Sequence, residues 1–411
     1  YTIEFEFVNK QSAWNVKYWL SSNSITPVHL GLLEKLTNKA SYGTTPLTMA
    51  FTGKFYLDVY EADKVLLYKK NELHHSVGTE FETNYTGYNY AIIEDAQSRF
   101  QEFLAGRLEA VSLPTENFDE VKDNPKLRRI PGSTTFRLMV NGLGTDTAQT
   151  QQFPNSVYSP KPILSNVNFK MAMYHAIDRK HLAEEVLKTS QPQMYHFTDA
   201  YLVDAQTGIP FRLTKEADDL VNGLFGNPDN YGYTQEGAKA LFATALDELI
   251  DAGHYEAGTA ANPTVIELDL FIFAGSAAQV LFAQYIKETF EATFNDTTRH
   301  IKVVINFETK EFPGIYYDYM MTGDFDLAIG GISGSTLDAA SFLDVYSSDN
   351  RGGFTLNWGI DTSVAEIVVE YTPDGEETAI KEIWSFDAIV SALNGEVYVE
   401  NGQEAERPAE D

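Results

Sequence analysis

The sequence predicts an α/β protein built on a parallel sheet, and three observations in residues 265–346 carry that expectation. Ile266, Leu268, Leu270 and Ile272 alternate along one strand, and Ile301, Val303, Ile305 and Phe307 alternate along a second. Between them, residues 276–294 read as an amphipathic helix with Ala278, Leu281, Phe282 and Tyr285 on its apolar stripe. A tyrosine-rich helix (Tyr316, Tyr317, Tyr319) then leads into a third strand at 325–329. Strand–helix–strand–helix–strand is the signature of a right-handed parallel unit, and such sheets take ligands beyond the carboxyl ends of their strands.

The remaining elements follow in chain order. Residues 2–8 set Ile3, Phe5 and Phe7 against Glu4 and Glu6, the alternation of a half-buried strand. Residues 53–60 and 64–68 read as a strand pair around an acidic turn at Glu61 and Asp63, and residues 96–105 as a helix capped by Gly106. Residues 142–162 are rich in Gly, Thr, Gln and Pro and offer little core material, so a polar loop and a nearby domain crossing are expected there. Phe169, Ala172, Met173, Ala176 and Ile177 fall at helical spacing, and Asp178 can cap the helix that follows. Thr234 caps a longer helix with Ala238, Leu241, Phe242, Ala245, Leu246, Leu249 and Ile250 on its stripe, closing at Gly253. Near the end, residues 367–371 read as a strand, Pro373, Asp374, Gly375 and Glu376 as a turn, and residues 384–393 as a helix.

Composition narrows the function classes. The 411 residues contain no cysteine, which excludes disulfides, thiolate nucleophiles and cysteine-held metals. A formal net charge of −29 argues against nucleic acid and against anionic lipid as partners and says little else beyond solubility. With 43% hydrophobic residues the chain can bury a core despite its charge. It opens on Tyr1 without a Met or basic leader, so a removed leader is expected.

The loop after the third strand is the leading candidate site: Gly330, Gly331, Ile332, Ser333, Gly334, Ser335, Thr336 and Leu337, with Asp338 capping the next helix. Small residues let a ligand approach the backbone, and a helix start offers unpaired N–H groups. The same pattern also serves as a plain tight turn, and it matches neither phosphate-loop, dinucleotide nor nucleophile-elbow spacing. His74 and His75 lack a third metal ligand, and residues 227–238 fail as a calcium loop because Tyr231 and Ala238 occupy ligand positions. Carboxylates such as Glu102 and Glu109, or Asp324 and Asp326, arise as pairs by chance among 59 acidic residues. Two glycosylation triplets, at Asn84 and Asn295, carry little weight. Trp358, Tyr316 and Tyr317 are candidates to line a cleft, although core packing is the commoner fate of such rings.

Residues Asn168-Phe169-Lys170-Met171-Ala172-Met173-Tyr174-His175-Ala176-Ile177-Asp178-Arg179 resemble the "R-x-A-x-x-x-A-I-D-R" helix of extracellular solute-binding proteins of the oligopeptide/dipeptide type, with Lys170 in place of Arg. Further segments are similar to that family in the same order: 46–60, 99–114, the crossing strand 134–141, the helix 233–253, and Gly323-Asp324-Phe325-Asp326 as "G-x-F-D". The resemblance covers roughly residues 1–360. It implies a two-lobed, type II periplasmic-binding-protein-like fold: a partial, β-rich first lobe over 1–135, a second α/β lobe over 136–360, and a divergent C-terminal extension over 361–411. It also implies a non-enzymatic, monomeric receptor without cofactor or metal. That receptor binds a peptide ligand in an interlobe cleft and hands it to the membrane subunits of an ABC importer, extracellularly, anchored through a segment upstream of Tyr1.

Carried over residue by residue, the ligand loop is Gly331, Ile332, Ser333 and Gly334, with Ser335 where the family commonly has the aspartate that holds a peptide amino terminus. Asp338 lies three residues on, Ile332 replaces the family's loop aromatic, and Trp358 completes the ligand-binding set. Rival readings are the same scaffold with a sugar, metal chelate or haem, a carboxylate-pair hydrolase, or an adhesive surface.

Overall fold

The structure, a computed structural model, describes residues 4–7, 16–17, 20, 25–193, 196–204, 207–225, 230–334, 336, 341–348, 359–372, 377–394, 397–400 and 403–406. Its contacts divide the chain into two compact units, Tyr1–Glu120 and Val121–Asp411. The first contains an antiparallel sheet of β1 (Phe55–Glu61), β2 (Val65–Lys70) and β3 (Gly87–Ala91), in that order. The acidic turn between β1 and β2 sits where expected, with Asp63 at φ 58°, a conformation aspartate tolerates better than most residues. β3 is an edge strand read from Gly-Tyr-Asn-Tyr-Ala, a segment without apolar alternation; Tyr88 and Tyr90 stay exposed on it. Helix α1 (Ala96–Leu104) starts at Asp95, whose carboxylate accepts the Ser98 N–H at 2.7 Å, and closes before Gly106 at φ 74°. The strand expected over 2–8 is not formed at its described residues 4–7, where Phe5 and Phe7 face solvent.

The second unit begins with β4 (Thr135–Val140) and α2 (Asp146–Gln152). Helix α2 corrects the expected loop: Thr145 caps it by accepting the Ala148 N–H, and no apolar stripe advertises it because its buried residue is Gln149. Then come α3 (Val167–Ala176), the short pair β5 (Leu202–Asp204) and β6 (Ile209–Pro210), and α4 (Gln235–Asp251). The chain continues through β7 (Thr264–Phe273), α5 (Ala277–Phe294), β8 (Ile301–Lys310) and β9 (Leu327–Ile332). It closes on a hairpin of β10 (Ile367–Tyr371) and β11 (Ile380–Trp384), helix α6 (Phe386–Leu393), and a small hairpin, Val397–Glu400 with Gln403–Glu406. Trp384 ends β11 rather than starting the helix: Ser385 supplies the cap, accepting the Ala388 N–H at 3.1 Å. The turn expected at 373–376 lies outside the described residues.

The sheet order is β4-β9-β7-β8, with β7 parallel to both β8 and β9 and β4 antiparallel to β9. The alternation in β7 does what period two requires: Ile266, Leu268, Leu270 and Ile272 are all buried on the face covered by α3, α4 and α5. Phe169, Phe242, Phe290 and Phe294 pack there, Phe242 and Phe294 with ring centres 4.8 Å apart. Truncating one of these rings to alanine costs about 3–5 kcal/mol, so this cluster is a principal stabiliser of the unit. Thr234 caps α4 as predicted, and its whole stripe is buried or half-buried. In α5 the buried face is Phe282, Ala283, Ile286, Phe290 and Phe294; Ala278 and Leu281, expected on the stripe, are exposed. The opposite face of the sheet holds a second cluster of Met139, Phe271, Ile315, Met320, Phe325 and Ala328.

Candidate functional site

β9 leads into the candidate loop, and its two edges differ. Along one edge it pairs with β4 for its full length, from Val140 opposite Leu327 to Thr135 opposite Ile332. Along the other it pairs with β7 only at Leu327 and Ala328. Among the described residues, the stretch from Ile329 to Ile332 pairs with β4 alone; Ile329 and Gly330 are buried, and Gly331 is the first exposed residue of the strand. Backbone N–H and C=O groups demand partners, so such an edge is a template for an added strand. The strand starts two residues later than expected, because Phe325 and Asp326 belong to the turn that feeds it.

The loop itself is pinned. Tyr201, fully buried, donates its hydroxyl proton to the Ser133 carbonyl at 2.9 Å and accepts the Gly334 N–H at 2.8 Å. Its ring stacks on Phe342 at 5.3 Å, and a Cβ on Gly334 would sit 2.4 Å from that phenylalanine. Ile332 packs against the same Tyr201–Phe342 cluster. Gly331 and Ser333 are exposed, and Gly334 is half-buried. Ser335, Asp338 and Trp358 lie outside the described residues.

Beside the loop runs a polar chain that sequence reasoning missed. Arg137 on β4 stands opposite Gly330; its Nη1 donates to the Tyr346 hydroxyl at 2.9 Å, which in turn lies 3.1 Å from His196 Nδ1. Burial, aided by the Arg137 charge, pushes His196 down to about 4, so the imidazole is neutral at physiological pH. The three residues lie far apart in sequence, and no local pattern could have joined them.

The turn before β9 is a second buried network. The Asp326 carboxylate accepts the Tyr158 hydroxyl and, at 3.0 Å, the Asp269 N–H, and its main-chain carbonyl accepts the Asn141 N–H at 2.9 Å. The Asp324 carboxylate accepts the Ser156 hydroxyl, and Asn141 and Gln149 both donate to the Gly323 carbonyl. These carboxylates tie the segment around α2 to the turn that leads into β9 and the candidate loop; the pair reads as anchorage rather than acid–base chemistry. Burial raises the Asp326 carboxyl to about 7.

The motif that carried the resemblance is structural. Asp178 accepts the His181 N–H at 3.0 Å to cap the next helical turn. Arg179 lies 3.8 Å above the Tyr174 ring and donates to the carbonyls of Tyr174, Ile177 and Tyr231. The His74 and His75 rings lie 4.1 Å apart, tilted to one another, and among the described residues no group of three His, Asp or Glu is arranged to hold a metal.

Residues 1–354 match the family model described as bacterial extracellular solute-binding proteins, family 5 Middle. The chain belongs to this family. Comparison with curated proteins gives no match. Solved structures agree on the fold. The substrate-binding domain of an oligopeptide ABC transporter from Bacillus anthracis aligns with TM-score 0.53 and 18% identity, over 80% of this chain and 54% of that one. Listeria monocytogenes OppA bound to peptide gives 0.55 and 16%, over 79% and 55%. A periplasmic oligopeptide-binding protein from Borrelia burgdorferi gives 0.52 and 18%, over 82% and 55%. At these identities the likeness is one of fold: α/β, of the type II periplasmic-binding-protein kind. The chain spans about half the length of the solute-binding proteins it matches. Among its described residues no helix is long and apolar enough to cross a membrane.

Proposed function

We propose that this family 5 protein is the substrate-binding component of an ABC importer and takes extended oligopeptides outside the membrane, without chemistry. The observation that carries the reading is the end of β9 past its pairing with β7, where, beyond buried Ile329 and Gly330, Gly331 and Ser333 are exposed. A peptide laid along that edge completes backbone hydrogen bonds that need no particular side chain, the basis of broad peptide acceptance. The similar structures, among them the substrate-binding domain of an oligopeptide ABC transporter and an OppA bound to peptide, support the same ligand class. Gly331 and Ser333 supply exposed backbone, Gly334 is held by Tyr201, and Ser335, Asp338 and Trp358 complete the proposed set. We further assign residues 1–135 and 136–360 to the two lobes and 361–411 to an extension of the second, in a monomer anchored upstream of Tyr1.

Calorimetry and thermal unfolding with a pool of random peptides test the proposal. Heat and a raised melting temperature are expected. Neither signal, together with a non-peptide molecule identified by native mass spectrometry, overturns the peptide reading.

A further inference from the structure

The two outer strands of the first unit's sheet are not equally protected. β1 carries Asp58 and Glu61 and a shift of register between Leu57 and Val59, charges and an irregularity of the kind that keep a sheet edge from pairing with other chains. β3 has no charge, proline or register shift in Gly87-Tyr88-Asn89-Tyr90-Ala91, and among the described residues no strand lies beyond it. Tyr88 and Tyr90 stand exposed with ring centres 6.3 Å apart, and Tyr85, 63% exposed, adds a third ring 5.6 Å from Tyr88. A neutral, aromatic edge of this kind is a template for a foreign strand unless something covers it.

The residue placed to carry a cover is Asn84. It opens the triplet Asn84-Tyr85-Thr86, three residues before β3, and is exposed at a bend outside helix and strand. Among the described residues no hydrogen bond ties its side chain, while the Thr86 carbonyl accepts the Lys70 N–H at 2.9 Å and fixes the backbone beside it. The other such triplet, Asn295-Asp296-Thr297, is built into the fold. Asn295 Oδ1 accepts the Val303 N–H at 2.7 Å, tying the end of α5 to β8, and the Asp296 carboxylate accepts the N–H groups of Thr298 and Arg299. Glu82, two residues before Asn84, also gives that triplet the acidic flank that bacterial oligosaccharyltransferases select; Thr293 stands at the same place before Asn295.

From this arrangement we infer that Asn84 is an N-glycosylation site whose glycan covers the open edge of β3. The co-reactant is an oligosaccharide carried on a polyprenyl diphosphate. Asn84 Nδ2 bonds to C1 of its first sugar, the C1–O bond to the diphosphate breaks with its electron pair leaving on the diphosphate, and one amide proton passes to a base on the transferase. The Thr86 hydroxyl is the part of the triplet that the transferase recognises. The apolar faces of the first sugars then have the exposed rings of Tyr85 and Tyr88 to lie on. The inference uses the location outside the membrane proposed above and is independent of the peptide ligand.

The test is mass spectrometry of tryptic peptides from the protein as its own organism makes it. Cleavage after Lys70 and Arg99 isolates residues 71–99, and cleavage after Lys287 and Arg299 isolates residues 288–299. The first peptide should carry an added mass that fragments into sugar units and is absent from Asn84→Gln; the second should show its own mass alone. Residues 71–99 found only at their unmodified mass overturn the site, as does a glycan on Asn295 in their place. By light scattering, Asn84→Gln should self-associate several-fold more than the native protein, and adding Tyr90→Lys, which sets a charge on the edge, should reverse this. Equal self-association of native protein and Asn84→Gln overturns the covering role. Calorimetry with peptides should be unchanged in Asn84→Gln, so failure of the peptide reading is seen separately.

Discussion

Replacing Asp326 by asparagine should flatten the pH dependence of stability. Asp326 is fully buried, and burial, opposed by the Asp269 N–H bond, raises its carboxyl to about 7. In the unfolded chain an aspartate titrates near 3.9. The folded value is the higher one, so the native state favours the protonated acid; that contribution is fully present below the unfolded value and is lost as pH rises through about 7. That difference corresponds to about 4 kcal/mol over the whole range, more than half of which falls between pH 5 and pH 8. Asparagine stays neutral and can keep both contacts: its carbonyl accepts the Asp269 N–H, and its amide donates to a rotated Tyr158 hydroxyl. The assay is denaturant unfolding of both proteins at half-unit steps from pH 5 to pH 8. The native protein should lose stability relative to Asp326→Asn as pH rises, and the variant should be the more stable at pH 8. Parallel curves across that range would refute the reasoning, since they require the same protonation state throughout. Asp326→Leu should be destabilised at every pH by about 1–3 kcal/mol for each buried donor left without an acceptor.

Tyr201→Phe removes the hydroxyl that joins Ser133 to Gly334. Stability should fall by about 1–3 kcal/mol, and peptide affinity should drop beyond what the lower stability explains, measured on the folded variant well below its melting temperature. Thr234→Ala deletes the cap of α4 and should cost about 1 kcal/mol in denaturant unfolding, with no change in ligand affinity because the cap lies on the helix layer rather than at β9.

How much was legible in the sequence depended on whether packing or pairing decided each element. Helix α4 was readable to its caps because Thr234, seven apolar positions and Gly253 all obey one period. The β7–α5–β8–β9 unit was readable for the same reason, although the stripe of α5 was placed one position off: Leu281 and Phe282 are adjacent, and only the sheet beneath decides which is inward. Helix α2 was hidden because its buried face is Gln149, held by Asn141 and Ser156 on either side of the helix and by the Gly323 carbonyl from a distant segment. Strand β3 was hidden because an exposed edge of tyrosines has no hydrophobic alternation, and β11 because its pairing with β10 overrode a helical start at Trp384. At the site, glycine content pointed to the loop. The anchors Tyr201 and Arg137 carry no local signature, because their roles exist only once β4 and β9 are side by side.

Backbone pairing along β9 is the centre of the account, and one measurement addresses it directly: the affinity of a bound peptide against analogues N-methylated at each residue in turn. Removing one N–H from an added strand costs about 1 kcal/mol or more when its partner is left buried, and only the residues facing β9 make those bonds. The expected result is loss of affinity at alternate positions, several-fold or greater, with near-native binding between them. Equal affinity for every analogue would contradict strand addition at β9.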